Sequence, residues 1–159
     1  MEKNELSVEE LTKFENQLQE AIKNPSDFFG DIQRKFDKNT LSSLLGYFLS
    51  NAADSNLLKE TIKAINSLRD EKNIEDLIDF LMSKGFEDKD SNEIINLKTL
   101  CIKAISNYKD KRCIPVLLYC LNDKTANYKM RFQAAEALGK IGDKNAVESL
   151  INVVSDEEE

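Results

Sequence analysis

The sequence predicts an all-α fold: about four stacked helical hairpins preceded by one capping helix. Three observations predict it. Apolar residues recur at spacings of 3 and 4 along most of the chain, the pattern of helices with one buried stripe. Chain breakers are scarce, with 5 glycines and 2 prolines among 159 residues, so helices are interrupted at few places. The pattern also repeats. Leu138, Ile141, Asp143, Val147, Leu150, Ile151 and Val154 fall, 33 residues earlier, on Ile105, Tyr108, Asp110, Ile114, Leu117, Leu118 and Leu121. Another 40 residues back lie Ile65, Leu68, Asp70, Ile74, Leu77, Ile78 and Leu81. A last step of 33 reaches a fainter copy at Ile32, Asp37, Leu41, Leu44, Leu45 and Phe48.

Periods of this size with one helix pair per unit define an α-solenoid. Neither helix of a pair is long enough to hold its shape alone in water. Stacking makes the core, and each fully buried Leu or Ile contributes roughly 1.5–3 kcal/mol. The first element is a helix over 6–23. Ser7 and Glu10 form a capping box, Leu6 staples to Leu11, and Leu11, Phe14, Leu18 and Ala21/Ile22 make its apolar face. Asn24-Pro25 ends it and starts the next helix. The hairpins follow at about 25–51, 54–82, 92–122 and 125–155, with a polar insert at Ser83–Asn92 and an acidic tail over 156–159. Asp37, Asp70, Asp110 and Asp143 each precede a second helix, where a short acceptor caps free N–H groups and meets the positive end of the helix dipole. Ala134, Ala135, Ala137 and Gly139 let neighbouring axes approach toward the low end of about 8–10 Å.

Composition narrows the function. Hydrophobic residues at 41% and charged residues at 32% describe a folded chain rather than a disordered one. A net charge of -7 argues against broad binding to nucleic acid or anionic lipid. Histidine is absent, which excludes Ser-His-Asp and Cys-His catalysis within the chain and any His-ligated metal. Cys101, Cys113 and Cys120 contain no CxxC pair, and the opening MEKNELSVEE does not read as a signal peptide. The expectation is a cytoplasmic protein with no membrane insertion, since no apolar run has spanning length. Small, buried thiols are expected; Arg112 beside Cys113 is the one feature that favours reactivity.

The last hairpin, RFQAAEALGKIGDKNAVESLINVV, resembles the HEAT-like repeat of the phycobilisome-lyase type. Arg131, Ala134, Ala135, Ala137, Leu138, Gly139, Gly142, Asp143, Ala146, Val147, Leu150 and Ile151 match that pattern position by position, and the match thins toward the first hairpin. The resemblance implies a HEAT-like solenoid, with Arg131 in a structural role, paired to a carboxylate. It also implies a range of functions: scaffolds and adaptors, bilin lyase subunits, phycobilisome degradation factors, hydroxylases and DNA glycosylases. The hydroxylases use His-Glu pairs and the glycosylases a basic groove, and this chain has neither. In such stacks the second helices usually line the concave face. Its outward positions here would be Ser42, Ser43 and Tyr47; Glu75, Asp76 and Asp79; Arg112, Pro115, Val116 and Tyr119; and Glu148, Ser149 and Asn152.

The expected site is a partner-binding groove of Tyr47, Glu75, Asp76, Asp79, Arg112, Val116, Tyr119, Glu148 and Asn152. It is mixed acidic and aromatic, and holds a peptide or helix of another protein. No catalytic residue, metal or cofactor is expected, so the chain reads as a non-enzymatic scaffold. Lys98, Lys103, Lys109, Lys111 and Arg112 make the third hairpin locally basic, as solubilising charges or as contacts for an acidic group. The alternative is a bilin lyase or chaperone subunit, or another phycobilisome-associated factor, which would need a tetrapyrrole-sized pocket lined by Tyr119, Tyr47 and a basic residue. No polar cap follows Val154, so either the acidic tail protects the last hairpin or something covers it: further repeats, a partner, or a second chain in a homo- or heterodimer.

Overall fold

The computed structural model describes residues 7–83 and 91–156, and all of its regular structure there is helical. The helices are α1 (Val8–Lys23), α2 (Pro25–Lys35), α3 (Lys38–Asn51), α4 (Ser55–Leu68), α5 (Asn73–Met82), α6 (Asn92–Tyr108), α7 (Ile114–Asn122), α8 (Tyr128–Ile141) and α9 (Lys144–Asp156), with a 3-10 turn at Lys111–Cys113 before α7. Their packing forms two rows. One runs α2, α4, α6, α8 and the other α1, α3, α5, α7, α9, each helix set against the next in its row. The rows are joined by α3 on α4, α5 on α6 and α7 on α8. Each main contact is therefore between near neighbours, as a solenoid requires. Leu6 and most of the polar insert lie outside the described residues, as do the side chains of Glu10 and Leu11, so the capping box and staple expected there fall outside them too.

The core runs the length of the stack. Leu44, Leu45 and Phe48 of α3, Leu57, Leu58, Ile62 and Ile65 of α4, and Ile74 and Leu77 of α5 are fully buried. Ile102, Ile105 and Leu117 continue it through α6 and α7. At the N-terminal end the filling is aromatic. Phe28, Phe29 and Phe48 pack at centroid distances of 5.6–6.3 Å. Phe14 of α1 meets Tyr47 of α3 at 5.8 Å. Phe14, Leu18 and Ala21 bury the apolar face of α1, while Ile22 turns outward at 43% exposure.

The turns follow the local chemistry. Asp37 accepts from the backbone N–H of Asn39 and Thr40 at 3.0 and 3.1 Å. Asp70 accepts from Lys72 at 3.1 Å and Asp110 from Arg112 at 2.8 Å. Asp54, which the repeat pattern does not single out, caps α4 through Leu57 at 2.8 Å. Adjacent turns are also tied to one another. Lys72 Nζ donates to Asn39, and Lys111 Nζ lies 3.4 Å from the Asp143 carboxylate. α4, α6 and α8 all end on a left-handed residue: Arg69 at φ 49°, Lys109 at φ 53° and Gly142 at φ 72°. Only the third is the glycine that this conformation favours.

Candidate functional site

The outward side of the second row is narrower than the sequence alone suggests. α7 is packed by α5, α8 and α9, and those three neighbours cover Ile114, Val116, Leu117, Cys120 and Leu121. Val116 is thus a core residue at 6% exposure, not a groove residue. What remains exposed on α7 is Pro115, Tyr119 and Asn122, spaced 4 and 3 apart along one helix edge, with Arg112 exposed in the 3-10 turn that precedes it. Tyr119 is 59% exposed, which is unusual for a large aromatic side chain in a well-packed helix.

On α5, Glu75 and Asp79 are exposed one turn apart. They stand alongside the α7 edge, since α5 packs against α7. Arg112 connects the two helices electrostatically. Its guanidinium donates to Asp110, with an N–O distance of 2.7 Å, and this bond raises its pKa; Glu71 in the turn before α5 and Glu75 on α5 add to the effect. The same bond holds the Asp110 carboxyl below the usual carboxylate range. Glu75 thus lies within electrostatic reach of Arg112, and Asp79 and Tyr119 are exposed farther along α5 and α7.

The other expected members are placed elsewhere. Ser42 and Asp76 serve the inside of the stack. Ser42 is buried and donates to Asn73 Oδ1 at 2.8 Å, while Asn73 Nδ2 donates to the Ser42 carbonyl at 2.9 Å and to Asp76 Oδ2 at 3.0 Å. Half-buried Asp76 thus belongs to a polar lock between α3 and α5. The lock sits against Gly46: a Cβ there would lie 2.5 Å from Asp76 Oδ2. Two sequence signals point to it, a lone Gly inside the apolar stretch LLGYF and an Asn at a core-facing position of α5.

Tyr47 is half-buried under Phe14, where burial and then Glu15 push its hydroxyl pKa upward. It packs α1 onto α3 and stands two helices along the row from Tyr119, so the two tyrosines do not line a common tetrapyrrole pocket. A surface depression of about 710 Å³ lies on α1, lined by Val8, Glu9, Thr12, Lys13, Asn16 and Gln17, and includes neither tyrosine. Glu148 is exposed on α9; the side chain of Asn152 lies outside the described residues.

The remaining candidates take structural positions. Arg131 Nε donates to the Leu121 carbonyl at 3.2 Å, tying α8 to the end of α7. Lys111 and Arg112 of the basic cluster are engaged by Asp143 and Asp110. All three thiols are buried. Burial lifts Cys101 well above its ordinary range and Cys113 to about 11, and also raises Cys120, so none is a ready thiolate. Val147 and Ile151, expected in the core, are 51% and 58% exposed. The side of α9 that carries them has no helix packed on it among the described residues.

Residues 88–159 match the family model for HEAT repeats. The match covers the last two helix pairs, where the sequence pattern is strongest, and its description is that of HEAT repeats in general. No curated protein and no solved structure matches the chain. Among the described residues, no helix is long and apolar enough to cross a membrane.

Proposed function

We propose that this chain is a non-enzymatic protein-binding scaffold that seats a partner on the surface formed by α5 and α7. HEAT repeats commonly serve as interaction scaffolds, which supports this reading at the level of the fold. The observation that carries it to a surface is Tyr119, 59% exposed beside the carboxylates Glu75 and Asp79 and the Arg112 guanidinium. Tyrosine and arginine are enriched among interface hot spots; tyrosine brings large contact area with little rotamer entropy to lose, and arginine a planar fork of donors. A partner segment with an apolar anchor for Tyr119 and a cation for Glu75 and Asp79 fits this arrangement.

The test is a capture experiment from native lysate with wild-type chain and a Tyr119→Ala/Asp79→Lys variant. Both positions are exposed, so helicity and thermal midpoint should be nearly unchanged. A protein bound by wild type and weakened about tenfold or more by the variant supports the assignment. Equal capture of every wild-type partner by a folded variant overturns it.

A further inference from the structure

The turns inside the four hairpins share one edge of the stack. They span residues 34–38 (α2 to α3), 69–72 (α4 to α5), 109–112 (α6 to α7) and 140–144 (α8 to α9). Contacts link each to the next. Lys72 Nζ of the second donates to Asn39, one residue past the first. Arg112 of the third lies within electrostatic reach of Glu71 of the second, and Lys111 Nζ of the third lies 3.4 Å from Asp143 of the fourth. These 18 residues hold 10 of the chain's 22 lysines and arginines against 5 of its 29 acids. All 10 cations are exposed. The connections between hairpins, 52–54, 83–91 and 123–127, hold 3 lysines and 5 acids. An acidic chain thus gathers nearly half of its cations on one edge.

Most acids of these turns are already engaged. Asp37, Asp70 and Asp110 accept from backbone N–H groups two or three residues on. The Asp143 side chain is 9% exposed where its partner Lys111 is 81%, and Asp110 is 22% exposed where Arg112 is 47%. Solvent therefore meets the cation of each pair. Two further cations stand where the backbone resists them. Arg69 and Lys109 are left-handed, at φ 49° and 53°, in the position that Gly142 fills in the fourth turn. A cation after a helix is favoured by the helix dipole, but α8 meets that need with Lys140 in its last turn and keeps the glycine. Strain held at the same place in two turns is the mark of a functional position.

We infer that this edge binds an extended acidic segment of another polypeptide, with one carboxylate of that segment at each turn. Successive turns lie one helix-packing distance apart, about 8–10 Å. A polyproline-type chain rises about 3.1 Å per residue with three residues per turn, so every third side chain shares a face at a spacing of about 9 Å. An acid at every third residue therefore meets the edge in register. Charge complementarity disfavours a denser polyanion. A nucleic-acid duplex carries one charge per about 1.7 Å, and it would lie over exposed Glu71 and Glu75 beside the edge. The inference does not rest on the α5–α7 surface: Arg69 and Lys109 lie outside it, so either assignment can fail without the other.

The probe is a fluorescein-labelled synthetic peptide, (Glu-Pro-Pro)4, titrated with the 159-residue chain and followed by anisotropy. A peptide of the same composition with its glutamates in one block is the register control, and a 12-nucleotide oligothymidylate is the nucleic-acid control. The variant is Arg69→Gly/Lys109→Gly. The expected result is saturable binding of the spaced peptide that weakens as salt is raised. The variant should bind it about fivefold more weakly or worse, yet unfold at a higher denaturant concentration than wild type. A purely structural role for the two cations would not separate affinity from stability in this way. No binding of the spaced peptide overturns the inference. Equal binding of the block peptide, tighter binding of the oligonucleotide, or a folded variant that binds as well as wild type also overturns it.

Discussion

At the scale of the residue, two local arrangements decide stability in opposite directions. Gly46 is required by the lock above it, since its absent Cβ leaves room for the Asp76 carboxylate that Asn73 holds. Gly46→Ala gains helix propensity of up to about 1 kcal/mol but displaces a hydrogen-bonded carboxylate worth about 1.5–3 kcal/mol. The expected outcome is a net loss near 1 kcal/mol in denaturant unfolding. In an Asp76→Ala background the same substitution should be stabilising, and a double-mutant cycle with no such reversal would show that the contact is unimportant. The opposite case is Arg69 and Lys109, side-chain-bearing residues in a left-handed turn where the third copy has Gly142. Arg69→Gly and Lys109→Gly should each raise the unfolding free energy by about 1 kcal/mol, through relief of the Cβ–carbonyl clash.

At the scale of the element, the sequence carries the helices better than their faces. The spacings of 3 and 4 and the breaker Pro25 mark where helices run, because periodicity depends only on which residues are apolar. Which side of a helix is covered depends on how many neighbours it has. α7 has three, so Val116 is buried, whereas α9 leaves Val147 and Ile151 outside. The 3-10 turn at Lys111–Cys113 also winds more tightly than an α-helix, so a face extrapolated from the turn into α7 is rotated. Ser42 and Asp76 were legible as polar but not as inward, since Ser42 meets its partner Asn73 only across the contact of α3 with α5, and Asp76 joins them through Asn73. By contrast, the exposure of Tyr119 on α7 and of Arg112 in the turn before it could be read directly, since both fall between core positions.

The helix α1 offers a test at this scale, since its attachment rests on Phe14, Leu18 and Ala21 against α2 and α3. Phe14→Ala removes a fully buried ring, a change that costs about 3–5 kcal/mol where it is felt globally. In hydrogen exchange the amides of α1 should lose most of their protection while those of α4 to α7 keep theirs. Uniform loss along the chain would mean that α1 and the stack open as one unit.

At the scale of the whole molecule, stability should fall at both ends of the pH range, for different reasons. Asp37 and Asp110 have lowered pKa values, Asp37 mainly through the Thr40 hydroxyl and N–H and Asp110 through Arg112. Their contribution is present above the unfolded value near 3.9 and is lost as pH falls through the folded values. The thiols behave in the reverse sense. Cys113 is lifted by burial to about 11, so the folded state keeps its proton where the unfolded chain gives it up. That contribution is complete below the unfolded value near 8.5 and is lost as pH rises toward 11. A thermal midpoint measured against pH should show a plateau between these limits. At pH 8 a thiol reagent should label the native chain slowly and all three cysteines quickly in denaturant.

The two rows of helices have one more consequence. A molecule whose main contacts join each helix only to near neighbours deforms like a stack of plates. A small slip at each junction adds to the next, and the sum is a bend or twist of the whole stack with no helix unwound. The surface of α5 and α7 lies across such a junction. Bending there shifts α7 relative to α5, so a segment seated on the proposed surface would be gripped more or less tightly by a load applied far along the stack.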